Sequence, residues 1–411
     1  AGLLIAKAVM DAERTISTVK RAVIGVPSFF GERGLQAIQN AGAIAGLETV
    51  DVVAEPVAAA SYFYQQDGVE RTGKDLVVDL GAGKLDVVAI EHSKENSMVK
   101  ASGGSSSIGG NAFDQQIVDM VADGLKSGYG VDPRENEREC IMLWQGCEFA
   151  KRELTEKEQA AIRLQVGAQT IKAQLTRNKF ESLCEPLLKR CGELIEDVLQ
   201  RAKWTGSDVD RVLLCGGASQ MPMFESMLSD VVGEASVVRL DENAVTLGAT
   251  IHAEYRRAMQ QGDEVPYKWV LVTGRTLSIV GTNVKDDKPV AVRLIPLNTS
   301  IPIRARKVFN TFQDNQRSFE FHLIEGESSD PAECVNLGKC LYTGIPEGTK
   351  AKTAINVQFR LDRNGRLSVS FGMNEDEKPV PVPLVRDLGM SGADIFKWKE
   401  WVETVMLCSG M

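Results

Sequence analysis

Residues 76–90 read LVVDLGAGKLDVVAI, and this stretch decides which folds the chain can adopt. Two β-branched apolar runs flank a Gly-Ala-Gly turn, with Asp79 before the turn and Asp86 after it. Because the second run reads as a strand and not as a helix, a dinucleotide fold is excluded, since its pyrophosphate lies on a helix N-terminus. Two interpretations remain: a plain hairpin, or a β-turn-β loop whose backbone N–H groups around glycine hold phosphate.

The composition is that of an ordinary globular protein. The 411 residues are 43% hydrophobic and 25% charged, which is enough for two or three domains. A net charge of −9 argues against a nucleic-acid partner. No apolar run reaches the ~18 residues of a membrane span, and the opening AGLLIAKAVM is too short for a signal peptide. Eight cysteines without a Cys-x-x-Cys pair predict free thiols, no structural zinc and a reducing cytoplasm.

The chain has two unlike halves. Residues 1–257 alternate apolar strands, such as RAVIGVP and DRVLLCGG, with amphipathic helices, which predicts an α/β domain. Residues 258–275 read as a linker around WVLV. Residues 276–373 alternate with period two, and Asn364-Gly365 marks a hairpin, so we expect an antiparallel β-sandwich. Residues 374–411 read as an acidic linker and a short helix, with an apolar stripe predicted at Ile395, Trp398, Val402 and Val405.

Three further motifs carry a functional and an ordinary interpretation each. Glu55 precedes Pro56 at a strand-to-helix junction, where a fixed carboxylate either aligns water or metal or simply caps the helix. SIGGNAF and VLLCGGASQ contain Gly-Gly corners, which let a ligand approach the backbone or merely make tight turns. CEFAKRELT has polar residues at i, i+3, i+4 and i+7 of one helix face, which reads as a nucleoside clamp or as a solvated surface.

The order of these motifs resembles the heat shock protein 70 (DnaK-type) chaperones over about residues 1–373. VIGVPSFF, AEPVAAA, DLGAGKLDV, IGGNAFD, CEFAKRELT and VLLCGGASQMP match the nucleotide-binding domain in order and spacing. VFNTFQDNQ, LGKCLYTGIP and FRLDRNGRLSVS match the family's β-sandwich peptide-binding domain. The resemblance implies a partial actin-like ATPase fold over residues 1–257, followed by the peptide-binding sandwich.

The resemblance also implies roles for particular residues. The catalytic group would be Glu55, Asp79 and Asp86, with Mg²⁺ held through water near the two aspartates. The nucleotide-binding residues would be Gly81, Gly83, Lys84, Gly109, Gly110, Glu148, Lys151, Arg152, Thr155, Gly216 and Gly217. The peptide-binding residues would be Phe309, Phe312, Phe319 and Phe321, and the family's switch proline would be Pro27.

Several departures from the family pattern bear on function. The chain starts after the family's first phosphate loop and catalytic lysine, and only its short tail could represent the helical lid. Lys84 stands where the family has a threonine hydroxyl, so it either supplies missing positive charge or occupies the place of the metal. Gln220 stands where an arginine stacks on adenine. Phe319 and Phe321 replace aliphatic residues, so they either narrow the peptide pocket toward small side chains or complete the core.

The sequence therefore predicts an ATP-dependent chaperone that binds exposed apolar segments. The resemblance implies ATP or ADP with Mg²⁺ as cofactors, and extended hydrophobic peptides, a J-domain co-chaperone and a nucleotide exchange factor as partners. ATP hydrolysis would require the family's first lobe. Two alternatives stay open: a non-hydrolysing interaction protein of the same family, and a sugar kinase of the actin-like superfamily, which fits only the first half.

Overall fold

The computed structural model describes residues 1–66, 72–93, 96–166, 169–263, 268–282, 288–373, 380–385 and 390–408. By contacts the chain falls into two compact units. The central unit is Glu55–Gly248, and the split unit combines Ala1–Ala54 with Ala249–Met411. The domain limits expected at residues 257, 275 and 373 stay a prediction.

The helices in chain order are α1 (Gly2–Glu13), α2 (Glu32–Ile44), α3 (Glu55–Phe63), α4 (Gly110–Tyr129), α5 (Glu137–Glu156), α6 (Arg177–Ala202), α7 (Pro222–Val232), α8 (Ala244–Gln261) and α9 (Gly392–Cys408). Side-chain caps start two of the long helices, α5 and α6: Asn136 accepts from the N–H of Glu139, and Thr176 accepts from that of Lys179. Among the described residues, no helix has both the length and the apolar content needed to cross a membrane.

The strands in chain order are β1 (Arg21–Val26), β2 (Thr49–Ala54), β3 (Gly73–Leu80), β4 (Leu85–His92), β5 (Asn96–Ser105), β6 (Gln159–Val166), β7 (Gln169–Thr176), β8 (Arg211–Cys215), β9 (Ser236–Arg239), β10 (Lys268–Val272), β11 (Leu277–Thr282), β12 (Pro289–Ile295), β13 (Ser300–Ile301), β14 (Ile303–Asn310), β15 (Phe319–Glu325), β16 (Val335–Tyr342), β17 (Ala354–Leu361), β18 (Leu367–Gly372), β19 (Val380–Val382) and β20 (Leu384–Val385). Single turns of 3₁₀ helix lie at Pro133–Glu135, Gly206–Asp208, Gly217–Gln220 and Pro331–Glu333.

The central unit is built on a mixed sheet with the order β5-β4-β3-β8-β9. The quoted stretch forms the β3–β4 hairpin, and β4 pairs antiparallel with β5. On the other side β3 pairs with β8 in parallel, and β8 pairs with β9 in parallel. Because parallel strands end at the same edge, the residues that follow β3 and β8 lie side by side, with Asp79 opposite Cys215.

Helices cover this sheet and bury its apolar face. One hydrophobic core joins β3, β4 and β8 to α4, α5, α6 and α7, and Phe113, Leu143 and Phe224 are fully buried in it. Burying side chains of this size stabilises the fold by about 1.5–3 kcal/mol each. A separate hairpin, β6–β7, contacts α5 through β6. This arrangement of mixed α/β layers is compatible with an actin-like ATPase type of domain.

The cysteines are consistent with the sequence prediction of free thiols. The seven whose side chains the structure describes form no disulfide. Burial raises the pKa of Cys147, Cys184 and Cys191 to about 12, so these thiols stay protonated at neutral pH.

In the split unit, β1 and β2 form a parallel pair, and α1, α2 and α9 pack together. The buried part of α9 differs from the predicted stripe. Val402 and Met406 are buried against α1 and α2, with Ile395 partly buried beside them, whereas Trp398 is 47% exposed and packs edge-to-face on Trp401. The prediction for Trp398 was therefore wrong. The buried side chains of α9 are Val402 and Met406, which lie four residues apart on one helix face.

Two antiparallel sheets of the split unit face one apolar core. Their orders are β12-β11-β15-β16-β20 and β14-β17-β18-β19. The hairpin predicted at Asn364-Gly365 joins β17 to β18, and Gly365 has the positive φ of 73° that favours glycine. Its turn is held by side chains of the same unit, since Asn364 donates to Asp51 at 3.0 Å and accepts from Arg256 at 2.8 Å.

Candidate functional site

The loop after β3 packs its backbone against the start of α4. Gly81 N–H donates to the carbonyl of Lys84 at 3.0 Å, which closes the hairpin turn. The first N–H groups of α4, those of Gly110 and Asn111, donate to the carbonyls of Gly81 and Ala82 at 2.9 and 2.7 Å. A Cβ on Gly109 would lie 2.5 Å from the backbone nitrogen of Lys84, so glycine at position 109 is needed for the close approach of these two backbones.

A second glycine corner reaches the same place from β8. Gly216 has a φ of 81°, and a Cβ there would overlap the Leu80 carbonyl oxygen and lie 2.7 Å from Asp79 Oδ1. A Cβ on Gly110 would lie 3.4 Å from Ala218 Cβ and 3.5 Å from Ala82 Cα. The phosphate-loop candidate and the two Gly-Gly corners thus meet at one edge of the sheet, which we call the glycine junction (residues 81–84, 109–110 and 216–217).

Three carboxylates converge beside the glycine junction. Glu55 is the first residue of α3, Asp79 lies near the end of β3, and Asp86 near the start of β4. The Lys84 ammonium lies among them, with Nζ 2.5 Å from Glu55, 3.2 Å from Asp79 and 3.4 Å from Asp86. We call these four side chains the Lys84 cluster.

The electrostatics keep Lys84 charged. Burial would by itself lower the pKa of Lys84, but the charges of Asp86, Asp79 and Glu55 outweigh it and raise the pKa above its ordinary value. Only about a fifth of the Lys84 side chain is exposed, and Asp86 is fully buried. The ammonium is thus a permanent part of this cluster at physiological pH.

The same geometry tests whether Mg²⁺ fits here. Carboxylate oxygens are the donors that Mg²⁺ prefers, but the ion requires near-octahedral contacts of about 2.0–2.1 Å. An oxygen of each carboxylate already contacts the Lys84 ammonium, which would repel a divalent cation placed between them. Across the described ranges, no group of three or more His, Cys, Asp or Glu side chains is arranged to hold a metal ion. As they stand, these residues do not fit a directly bound Mg²⁺.

The polar residues of α5 divide between two environments. Lys151 is buried, donates to Asp114 at 2.7 Å and to the Gly110 carbonyl at 3.1 Å, and so reaches the glycine junction. Glu148 and Arg152 face solvent, with 56% and 77% of their side chains exposed and 3.9 Å between their charged atoms. The structure therefore brings Lys151 to the junction and leaves Glu148 and Arg152 at the surface.

Thr155 lies one turn after Lys151 and borders a small cavity. Its hydroxyl donates to the Lys151 carbonyl at 3.5 Å. The cavity has a volume of ≈ 10 Å³, about enough for one water molecule, and Phe180, Met221 and Met223 help to line it. A purine base could enter there only if one of these side chains moved.

Sequence reasoning missed the partner of Lys151. Asp114 is 2% exposed, and burial raises its pKa, although the hydrogen bond and charge of Lys151 oppose that rise. The available signal was its position one helical turn after Gly110, on a face of α4 that is otherwise apolar. A buried acid at such a position requires a cation or a proton.

A second group of titratable side chains lies inside the central sheet. Arg211 donates to both oxygens of Asp75, at 2.8 and 3.0 Å, and the Tyr64 hydroxyl also donates to Asp75. His92 lies 3.8 Å from Asp75 and contacts Ser97, and burial, followed by the Arg211 charge, lowers the pKa of His92 to about 3. Serine, histidine and aspartate thus meet, but all three are buried, so no substrate reaches them and the group is structural.

The predicted peptide-binding residues lie in the split unit. The Phe309 ring lies 5.1 Å from that of Phe319 and 6.1 Å from that of Phe321, centroid to centroid. Phe321 is 5% exposed and packs on Phe359 and on other rings of the core. Phe312 stands apart, with 91% of its surface exposed. Three of the four phenylalanines therefore form one aromatic cluster (Phe309, Phe319 and Phe321), and the fourth projects into solvent.

Pro27 also lies in the split unit, directly after β1. Its carbonyl accepts from the Phe30 N–H at 3.1 Å, which makes a turn between β1 and α2. Its role as a switch stays a prediction.

Comparisons with known proteins identify relatives of the chain. The family model described as Hsp70 protein matches residues 1–403. The "Chaperone protein DnaK" of Thermosipho melanesiensis is 33% identical over 379 residues, which are 89% of this chain and 62% of that protein. The "Chaperone protein dnaK1" of Parasynechococcus marenigrum is 34% identical over 381 residues, which are 89% of this chain and 55% of that protein. The chain thus spans less than two thirds of the length of these two relatives.

Proposed function

This chain belongs to the Hsp70 family, and we propose that it acts as an ATP-dependent molecular chaperone that holds exposed apolar segments of other proteins. The proposal assigns nucleotide to the glycine junction, and extended peptide to the aromatic cluster and the exposed Phe312. A reducing cytoplasm, a J-domain co-chaperone and a nucleotide exchange factor belong to the same proposal.

One observation carries the nucleotide part. Three glycine corners that are separate in the sequence meet at the edge where β3 and β8 end, at residues 81–84, 109–110 and 216–217. The buried ammonium of Lys151 lies with them. Glycines at such positions let the oxygens of a phosphate approach backbone N–H groups. An ordinary surface hairpin would not need three backbones in contact, so this convergence favours the phosphate-binding interpretation of residues 81–84.

Residues of the glycine junction and of α5 would contact different parts of the nucleotide. Gly81, Gly83, Gly109 and Gly110 would face phosphate, and Gly216 and Gly217 would face the nucleoside. On α5, Glu148, Arg152 and Thr155 would contact the nucleoside, with Lys151 fixing the position of Gly110 through its carbonyl. Because the first N–H groups of α4 donate to loop carbonyls, binding would require the loop to move away from them.

Hydrolysis would need a carboxylate that accepts a proton from water. Glu55 and Asp79 are the candidate bases, but each contacts the Lys84 ammonium, which competes with water for the same oxygens. We therefore propose that binding of nucleotide, more than its turnover, controls the peptide site. This observation also keeps a second candidate, a non-hydrolysing interaction protein of the same family. Nothing in the described residues favours a sugar kinase over either.

The peptide part of the proposal rests on the aromatic cluster. Its rings fill space next to a closely packed core, so a side chain as large as leucine would displace them. An extended peptide would be held mainly through its backbone, with alanine or serine side chains toward the rings.

The test is peptide release. A fluorescently labelled extended peptide rich in alanine is bound to the chain, and its anisotropy is followed as ATP or ADP is added. We expect peptide affinity to fall at least about tenfold, or ~1.4 kcal/mol, on saturation with ATP. Peptide binding that ignores nucleotide would support the interaction protein, and the absence of peptide binding by the folded chain would reject both.

A further inference from the structure

Lys84 reaches the three carboxylates from a backbone that is itself fixed. Its carbonyl accepts the hydrogen bond that closes the turn, and β4 begins at the next residue. Glu55 comes from α3, Asp79 from β3 and Asp86 from β4, so three different elements deliver oxygen atoms to one ammonium. The ammonium is a built-in cation at the point where the carboxylates meet.

Burial of the Lys84 cluster favours ion pairs between its side chains over separate solvation of each charged group. Asp86 is fully buried and Asp79 is mostly buried, so removing the ammonium would leave carboxylate charge in a poorly solvated place. The charges of all three carboxylates keep Lys84 protonated against the effect of its own burial. Three carboxylates face this one ammonium, so without it the cluster would hold three uncompensated negative charges.

A divalent ion from solution competes poorly for this place. Mg²⁺ must lose water and approach the oxygens to about 2.0–2.1 Å, and it would then lie beside the fixed positive charge of Lys84. The ammonium is tethered two residues from Asp86, so its effective concentration at the oxygens far exceeds that of a free ion. Displacing the ammonium would also break three ion pairs.

We propose that the Lys84 ammonium takes the place of a divalent metal ion beside the glycine junction, so that this chain binds its nucleotide independently of Mg²⁺. The inference rests on the proposed function only for the identity of the ligand. The position of the built-in cation is a property of the four side chains themselves.

The test replaces the ammonium and measures a metal directly. Mn²⁺, a paramagnetic substitute for Mg²⁺, is titrated into the chain without nucleotide and followed by electron paramagnetic resonance. We expect no stoichiometric binding of Mn²⁺ to the unmodified chain. In Lys84→Thr we expect one site that binds Mn²⁺ at least about 100-fold more tightly than the unmodified chain does, because the repelling charge is gone. Adding Asp79→Asn to Lys84→Thr should abolish that site.

Lys189→Thr is the matched control. Lys189 lies on α6 with 78% of its side chain exposed, so the same substitution there changes net charge without touching the cluster. It should bind Mn²⁺ as the unmodified chain does. One tight Mn²⁺ site in the unmodified chain, no weaker than in Lys84→Thr, would overturn the inference.

A measurement on the unmodified chain keeps the inference testable if Lys84→Thr does not fold. The ¹⁵N resonance of Lys84 Nζ is followed during titration with millimolar Mg²⁺. We expect it to stay unchanged, because the ammonium is not displaced, and a saturable shift with loss of protection from solvent exchange would overturn the inference. Neither readout uses nucleotide. A chain that binds no nucleotide would therefore reject the proposed function while leaving this result intact.

Discussion

Substituting Gly109 with alanine tests the packing of the glycine junction. Gly109 has an extended backbone with φ of −178°, so alanine adopts its conformation without strain. The added Cβ would, however, lie 2.5 Å from the backbone nitrogen of Lys84, 2.6 Å from the carbonyl carbon of Gly83 and 2.7 Å from the carbonyl oxygen of Ala82. All three atoms belong to the backbone, so the loop must move away from α4.

The cost follows from that movement. Overpacking a close contact costs about 1–3 kcal/mol. Separating the loop from α4 also strains the hydrogen bonds that the N–H groups of Gly110 and Asn111 donate to it, each contributing about 1 kcal/mol. Replacing glycine returns about 0.4–1 kcal/mol through the unfolded chain. We expect Gly109→Ala to lower the free energy of unfolding by about 2–4 kcal/mol.

Gly83→Ala in the same loop is the matched control. A Cβ on Gly83 has no neighbour within 4 Å, and Gly83 is exposed, so this variant should stay within about 0.5 kcal/mol of the unmodified chain. Both free energies come from urea unfolding, read as shifts of the midpoint at constant slope. If Gly109→Ala is as stable as Gly83→Ala, the close approach of loop and helix is wrong, and the glycine junction with it.

Three other predictions concern separate parts of the chain. Burial, and then a neighbouring guanidinium, lowers the pKa of His252 to about 4, below the 6.5 of the unfolded chain. Stability should therefore fall between pH 6.5 and 4, by about 2 kcal/mol near pH 5, and urea unfolding of His252→Gln should show a weaker pH dependence. Lys151→Met leaves Asp114 buried without its cation and should lower the free energy of unfolding by about 3–5 kcal/mol. Lys157→Met, which removes an exposed ion pair at the end of the same helix, should lower it by under about 0.5 kcal/mol in the same urea assay. Phe312→Ala removes an exposed ring, so it should leave the thermal midpoint unchanged and weaken peptide binding several-fold by anisotropy; equal affinity would remove Phe312 from the peptide site.

The strands and the glycine corners of the central unit could be predicted from local sequence. Apolar runs such as LVVDL and LDVVAI form β3 and β4, and in the split unit Asn364-Gly365 joins β17 to β18 as predicted, because strand period and turn chemistry act over a few residues. The approach of Gly216 to the end of β3 depends on β3 and β8 pairing in parallel, with Asp75 opposite Arg211, 136 residues away in the chain. No local pattern specifies that pairing, and only the order of motifs pointed to it.

Side-chain partners were harder to predict than backbone positions. The sequence left open whether Lys84 supplies charge or occupies the metal's place, since the choice depends on where Glu55 and Asp86 point. The four polar residues of α5 share a helical spacing, yet Lys151 turns inward because Asp114 is buried beside it. Periodicity predicts which face of a helix a residue occupies, but it does not predict which buried charge lies on the neighbouring element.

The most direct test is a calorimetric titration of ADP and ATP into the folded chain, with Mg²⁺ and with EDTA. We expect micromolar binding of one nucleotide, with an affinity that does not change when Mg²⁺ is removed. We also expect Lys84→Met to weaken ATP binding by at least about tenfold, because three carboxylates then face the phosphates alone, whereas Lys189→Met should not. The absence of binding, or binding equally tight in Lys84→Met, would contradict the assignment of nucleotide to the glycine junction.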